Sequence, residues 1–133
     1  MIDFDFGAIT HNLDYLWNGM QLSLLLTGLS ALGSVVLGTI LALMRLSGVK
    51  LFQWIGTTWV NFFRSLPLLL VIFWFYFLVP VIAQSVMGLE RPPQIGAERS
   101  AYITFIMFEA AYFCEIMRAG IQSISRGQVG AAY

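Results

Sequence analysis

Residues 109–133, EAAYFCEIMRAGIQSISRGQVGAAY, hold the most informative features of the chain for its fold. The first half is apolar enough for a membrane helix, yet it carries Glu109 and Glu115, and Arg118 follows one turn later. A charged group at the centre of a membrane helix costs about 2.5–3.5 kcal/mol on insertion scales. Each acid therefore requires a partner or a polar surrounding inside the protein.

The two acids differ in what they predict. Glu115 and Arg118 are three residues apart and can pair across one helical turn, which favours an ion pair at the membrane boundary. Glu109 lies deeper and on another face of the helix. We expect it to be a hydrogen-bonded structural acid, to line a translocation path, or to pair with another subunit.

After the span, residues 125–128 read SRGQ, the S-x-x-Q form of a capping box. The hydroxyl of Ser125 can accept an N–H of the first turn while the side chain of Gln128 reaches back to the Ser125 N–H. The pattern predicts a new short helix starting near Arg126.

The composition is that of a membrane protein. Of 133 residues, 59% are hydrophobic and 11% are charged, against about 25% charged in soluble domains. Seven basic and seven acidic residues cancel, which gives no indication of a nucleic-acid partner. The single cysteine, Cys114, and the single histidine, His11, form no metal-ligand or nucleophile pattern. We therefore predict no catalytic residue, metal or cofactor and disfavour a membrane-embedded enzyme; Cys114 is expected to pack as a small apolar residue.

Three spans are predicted, at about 20–44, 66–88 and 101–118, and each has the length that a bilayer needs. Residues 50–64 lie between the first two and show an amphipathic period, which favours a surface helix. The alternative is one helix over 51–80, kinked near Pro67.

Small residues recur every four positions in the first span and form one ridge, which favours close helix packing. They are Ser30, Ser34, Gly38 and Ala42.

Basic residues predict the orientation, because they favour the cytoplasmic side. Residues 45–64 hold three and 118–126 hold two, against none in 1–19 and two in 90–99. The N-terminus is therefore predicted to face the outer side of the membrane and the tail the cytoplasm. No cluster of basic residues lies within a predicted span, so the sequence marks no anion site.

Two stretches, FRSLPLLLVIFWFYFLVP (63–80) and EAAYFCEIMRAGIQSISRGQ (109–128), together resemble the permease subunits of bacterial ABC importers for polar amino acids, most closely the glutamate/aspartate type. The resemblance implies the N-terminal part of a five-helix type I permease in the inner membrane. It also implies ATPase subunits, a second permease and a periplasmic substrate-binding protein as partners.

In that family a cytoplasmic segment beginning G-Q-x-E-A-A docks on the ATPase. Its implied positions in this sequence are Ser125, Arg126, Gly127, Gln128, Gly130, Ala131 and Ala132, within a docking helix at 126–133, and Gly130 stands where the family has glutamate. Since residues 1–133 match only the first part of a permease, we expect them not to transport alone. Glutamine or other polar or basic amino acids are alternative substrates, and a non-transporting membrane anchor is the alternative function.

Overall fold

The structure, a computed structural model, describes residues 7–125 and 127–128. All regular elements in that part of the chain are helical, which confirms the predicted all-α class. In chain order they are α1 (Gly7–His11), α2 (Leu13–Leu46), α3 (Lys50–Ser65), α4 (Leu68–Phe73), a π-helical segment (Trp74–Leu78), α5 (Val79–Met87) and α6 (Ala97–Gln122).

Within the described residues, three helical stretches are long and apolar enough to cross a membrane: α2, the continuous unit Leu68–Met87, and α6. They coincide with the three predicted spans, and α2 and α6 extend past the predicted limits at both ends. The extension of α2 brings Asp14 into its first turn and Arg45 into its last. This arrangement complements the helix dipole at both ends.

The amphipathic segment forms a helix of its own, α3, which ends before Pro67. Leu66 and Pro67 are both extended, with ψ of 145° and 138°, and the next helix begins at Leu68. The residue before a proline is biased away from helical ψ, so the chain breaks here. The alternative of one kinked helix over 51–80 is therefore wrong.

A π-helical turn at Trp74–Leu78 interrupts the second span, and no sequence pattern predicted it. Pro80 follows in the first turn of α5. Proline offers no N–H and its ring crowds the carbonyl four residues earlier. A local widening to π geometry lets the helix continue past such a residue.

The small-residue ridge of α2 packs against α6, as predicted. Ser30, Ser34, Gly38 and Ala42 are all buried. The Ser34 hydroxyl donates to the backbone carbonyl of Ile106 at 3.3 Å, so the two backbones approach closely.

Helices α2 and α6 run parallel. Two contacts show this: Ser34 meets Ile106, 72 residues later, and Arg45 meets Glu115, 70 residues later. The intervening Leu68–Met87 unit therefore returns in the opposite direction, as alternating spans require.

Candidate functional site

One carboxylate, that of Glu115, joins three helices at the end of the bundle. Arg45 of α2 places Nη1 2.7 Å from Glu115 Oε1, and Arg64 of α3 places Nη1 3.4 Å from the same oxygen. Arg118 of α6 donates from Nη2 and Nε to Oε2 at 2.9 and 3.1 Å. The side chains are partly shielded, with 13% of Arg45 and 23% of Glu115 exposed. We call these four residues the arginine–glutamate cluster.

The pairing of Glu115 with Arg118 was predicted and is confirmed. Arg45 and Arg64 were missed as partners of Glu115; both lie just outside the predicted spans, so the cluster forms at the helix ends and not within a span. Arg45 and Arg64 lie at helix ends and far from Glu115 in sequence, so no spacing rule connects them. The available signal was that both arginines were predicted on the same side of the membrane as Arg118.

Gly56 of α3 allows the cluster to form. A Cβ at this position would lie 2.7 Å from Cγ of Arg45 and 3.2 Å from the carbonyl oxygen of Leu41. Both distances are shorter than ordinary contacts, so only glycine lets α3 cross α2 this closely. The crossing brings the arginine of each helix to the same carboxylate.

Glu109 lies in a different environment. It is half-buried and lines a cavity of about 290 Å³ between α2 and α6. The other lining residues are Leu26, Thr27, Ser30, Ala31, Phe105 and Phe113. Glu109 and Glu115 therefore face different sides of α6, as predicted.

Three alternatives were predicted for Glu109, a hydrogen-bonded structural acid, a residue lining a translocation path or a partner of another subunit, and all three stay predictions. Within residues 7–125 and 127–128, Glu109 has neither a hydrogen bond nor an ion pair. The hydroxyl of Ser30, in the same cavity, is buried and also lacks a partner there. The α2 side chains that line this cavity include the hydroxyls of Thr27 and Ser30 but no cation.

Cys114 is fully buried beside this interface and forms no disulfide. Its Sγ lies 3.9 Å from Arg45 Nη1. It packs among core residues, in agreement with its expected role as a small apolar side chain.

The capping box at the end of the described chain has the predicted geometry. The Gln128 N–H donates to Ser125 Oγ at 3.4 Å, and the Ser125 N–H donates to Gln128 Oε1 at 3.2 Å. Gly127 and Gln128 are helical. Of the other predicted docking positions, Arg126, Gly130, Ala131 and Ala132 lie outside the described residues.

Comparison with known proteins shows which proteins share the sequence of this chain. No protein-family model matches the chain. The glutamate/aspartate import permease protein GltK of Escherichia coli is 46% identical over 132 residues, 99% of this chain and 58% of that protein. The chain is homologous to the permeases of amino-acid ABC transporters.

Two further matches place this permease homologue among relatives of the same kind. The probable glutamine ABC transporter permease protein GlnM of Bacillus subtilis is 36% identical over 121 residues, 91% of the chain and 52% of that protein. A crystal structure of an amino acid ABC transporter, solved with histidines, has a TM-score of 0.82 at 27% identity and covers 98% of the chain and 57% of its match. The permease homologue thus spans between half and three fifths of the length of these relatives.

Proposed function

We propose that this chain forms part of the membrane-spanning permease of an ATP-driven importer for polar amino acids, with glutamate and aspartate as its substrates. The observation that carries the proposal is the 46% identity to GltK, which extends over 99% of the chain. It is supported by three helices among the described residues that can span a membrane, of which the first and third run parallel. ATP hydrolysis is assigned to separate subunits.

In this proposal the protein lies in the bacterial inner membrane with its N-terminus periplasmic and residues 125–133 cytoplasmic. A periplasmic binding protein delivers the amino acid, and a second permease completes the pathway. Two ATPase subunits close on the cytoplasmic side. The capped turn at Ser125–Gln128 is the predicted contact with them, because it follows α6 directly and can pass motion to that helix.

The mechanical link runs through α6. Glu115 ties α6 to α2 and α3 through the arginine–glutamate cluster. A displacement of the cytoplasmic end of α6 would therefore move three helices together, as rigid-body rocking requires. Glu109 on the same helix is proposed to face the translocation path.

Docking is tested by co-purifying the chain with an ATPase subunit of an amino-acid ABC importer, with the Gly127→Pro and Gln128→Ala variants compared with the unmodified chain. We expect both variants to lose ATPase, since they disrupt the capped turn. The exposed Gln94→Ala, in the loop before α6, is the control and should retain it. Unchanged retention by the two tail variants would argue against docking at this segment.

The substrate is tested separately, by uptake of radiolabelled amino acids into cells that express the complete permease containing this sequence with its partners. Glutamate and aspartate uptake, each competed by the other, is the expected result. Preferential uptake of glutamine would assign the substrate of the GlnM relative instead, and the 36% identity to that protein is the reason to include it.

A further inference from the structure

The arginine–glutamate cluster carries more positive charge than its own acid neutralises. Three guanidinium groups surround the carboxylate of Glu115, so the cluster has a net charge of 3 − 1 = +2. Among the residues that the structure describes, no second acid bridges to any of the three arginines. The three guanidinium groups repel one another because the single carboxylate neutralises only one of their charges. An anion bound beside them would reduce that repulsion.

Arg64 is the member of the cluster that can reach such an anion. Its side chain is 46% exposed, against 13% for Arg45 and 33% for Arg118. Its contacts in the described chain are one 3.4 Å approach to Glu115 and a position 5.6 Å from the ring centroid of Tyr112. A guanidinium has five N–H donors, so several remain for a ligand.

An apolar groove of about 410 Å³ is lined by residues of α3 that end one position before Arg64 in sequence; Arg64 itself does not line it. Phe62 and Phe63, which line it, directly precede Arg64 in α3. The remaining lining residues are Trp54, Ile55, Thr58, Trp59 and Met107. Trp59 also has a buried indole N–H with no acceptor in the described part of the chain.

Charge and groove together specify the ligand. A small soluble anion would use the arginines but not the groove, and an apolar helix would use the groove but not the charge. We propose that the cluster binds the phosphate of an anionic phospholipid, with Arg64 as the outermost contact and an acyl chain lying along the groove. Membrane-surface arginines attract such lipids electrostatically, and guanidinium matches phosphate geometry.

The test is lipid binding to the purified 133-residue chain in neutral detergent, with phosphatidylglycerol compared with phosphatidylcholine by native mass spectrometry. We expect phosphatidylglycerol to bind in preference. Arg64→Gln should weaken it roughly fivefold, the effect of removing one basic charge near an anionic headgroup. Arg64→Lys should retain most of the binding, because it keeps the charge.

Lys50→Gln is the matched control. It removes the same charge from the same helix, and Lys50 is exposed and lies 14 residues from Arg64 at the other end of α3. We expect its binding to equal that of the unmodified chain. Circular dichroism establishes that each variant is folded.

Several outcomes would overturn the proposal. Equal losses for Lys50→Gln and Arg64→Gln would show diffuse attraction and not a site. Full displacement of the lipid by millimolar inorganic phosphate or glutamate would assign the cluster to a small anion. Should a variant fail to fold, the unmodified chain still provides the test, because equal binding of the two lipids would contradict the proposal.

Discussion

The guanidinium of Arg45 lies 2.7 Å from the carboxylate of Glu115, although 70 residues separate the two in sequence. The contact fastens the last turn of α2 to α6 at the end of the bundle where α3 also arrives. It fixes the register of the two helices, because a shift by one turn, about 5.4 Å, would separate the pair.

We predict that Arg45→Gln destabilises the folded chain by about 1.5–3 kcal/mol, the range for a hydrogen bond to a charged group. Arg64 and Arg118 continue to bind Glu115, so the carboxylate is not left alone. The measurement is the free energy of unfolding in detergent, followed by circular dichroism. Arg91→Gln, in the loop before α6, is the control because Arg91 is exposed and forms no ion pair or hydrogen bond with the residues that the structure describes. Equal stability of the two variants would show that the 2.7 Å contact contributes nothing.

Gly38 is predicted to be indispensable for the contact between α2 and α6. A Cβ there would lie 2.7 Å from Cβ of Phe113 and 2.9 Å from the carbonyl oxygen of Ala110. Since overpacking typically costs about 1–3 kcal/mol, Gly38→Ala should destabilise the chain by that amount. Gly28→Ala, in the same helix, meets nothing within 4 Å and should be neutral or stabilising by up to about 1 kcal/mol. Thermal unfolding of the two variants side by side distinguishes them, and a Gly38 variant as stable as the Gly28 variant would contradict the observed packing.

The reactivity of Cys114 measures how tightly α2 and α6 pack. Its side chain is fully buried, so alkylation by a maleimide requires the helices to open. We expect the maleimide to alkylate Cys114 in the folded chain at a rate at least about ten times lower than in the chain unfolded in sodium dodecyl sulfate. Gly38→Ala should raise the rate in the folded chain and Gly28→Ala should not. Rapid labelling of the unmodified chain would show that α2 and α6 are not packed as described.

Ser125→Ala tests the capping box. The substitution removes the Oγ that accepts the Gln128 N–H at 3.4 Å. Loss of an N-cap side chain costs about 1 kcal/mol, so hydrogen exchange of the Gln128 amide should accelerate roughly fivefold. Ser123→Ala is the control: its hydroxyl donates to the carbonyl of Gly120, at the end of α6, and serves a different helix terminus. Acceleration by both variants alike would indicate general fraying and no specific cap.

The parts of the fold that sequence reasoning predicted all rest on local periodicity. Apolar runs indicated the three spans, and a four-residue repeat indicated the ridge that includes Ser34 and Gly38. The separation of α3 from the second span was predicted from the amphipathic period of residues 50–64, and the structure shows the break at Pro67. The π turn before Pro80 was missed because a proline within a helix can be accommodated by a kink, a break or a bulge, and composition does not distinguish them.

The candidate site was predicted in part: contacts between residues close in sequence were predicted, and contacts between residues far apart in sequence were not. Glu115 with Arg118, and Ser125 with Gln128, are pairs three residues apart whose contacts follow from helical geometry. Three alternatives stayed open for Glu109, because the surroundings of a side chain within a bundle depend on which face of another helix lies opposite. That face depends on how the neighbouring helix is rotated about its own axis, and the sequence of α6 alone does not predict this rotation.

Local pattern was thus enough to specify three membrane-length helices, a separate amphipathic helix and a capped turn after the last span, because each depends on residues within a few positions of one another. The convergence of Arg45 and Arg64 on Glu115 arises instead from the packing of whole helices. So does the position of Glu109 in a cavity where no described residue pairs with it. Those arrangements depend on helix register and crossing, which Gly38 and Gly56 permit by letting backbones approach where any side chain would collide.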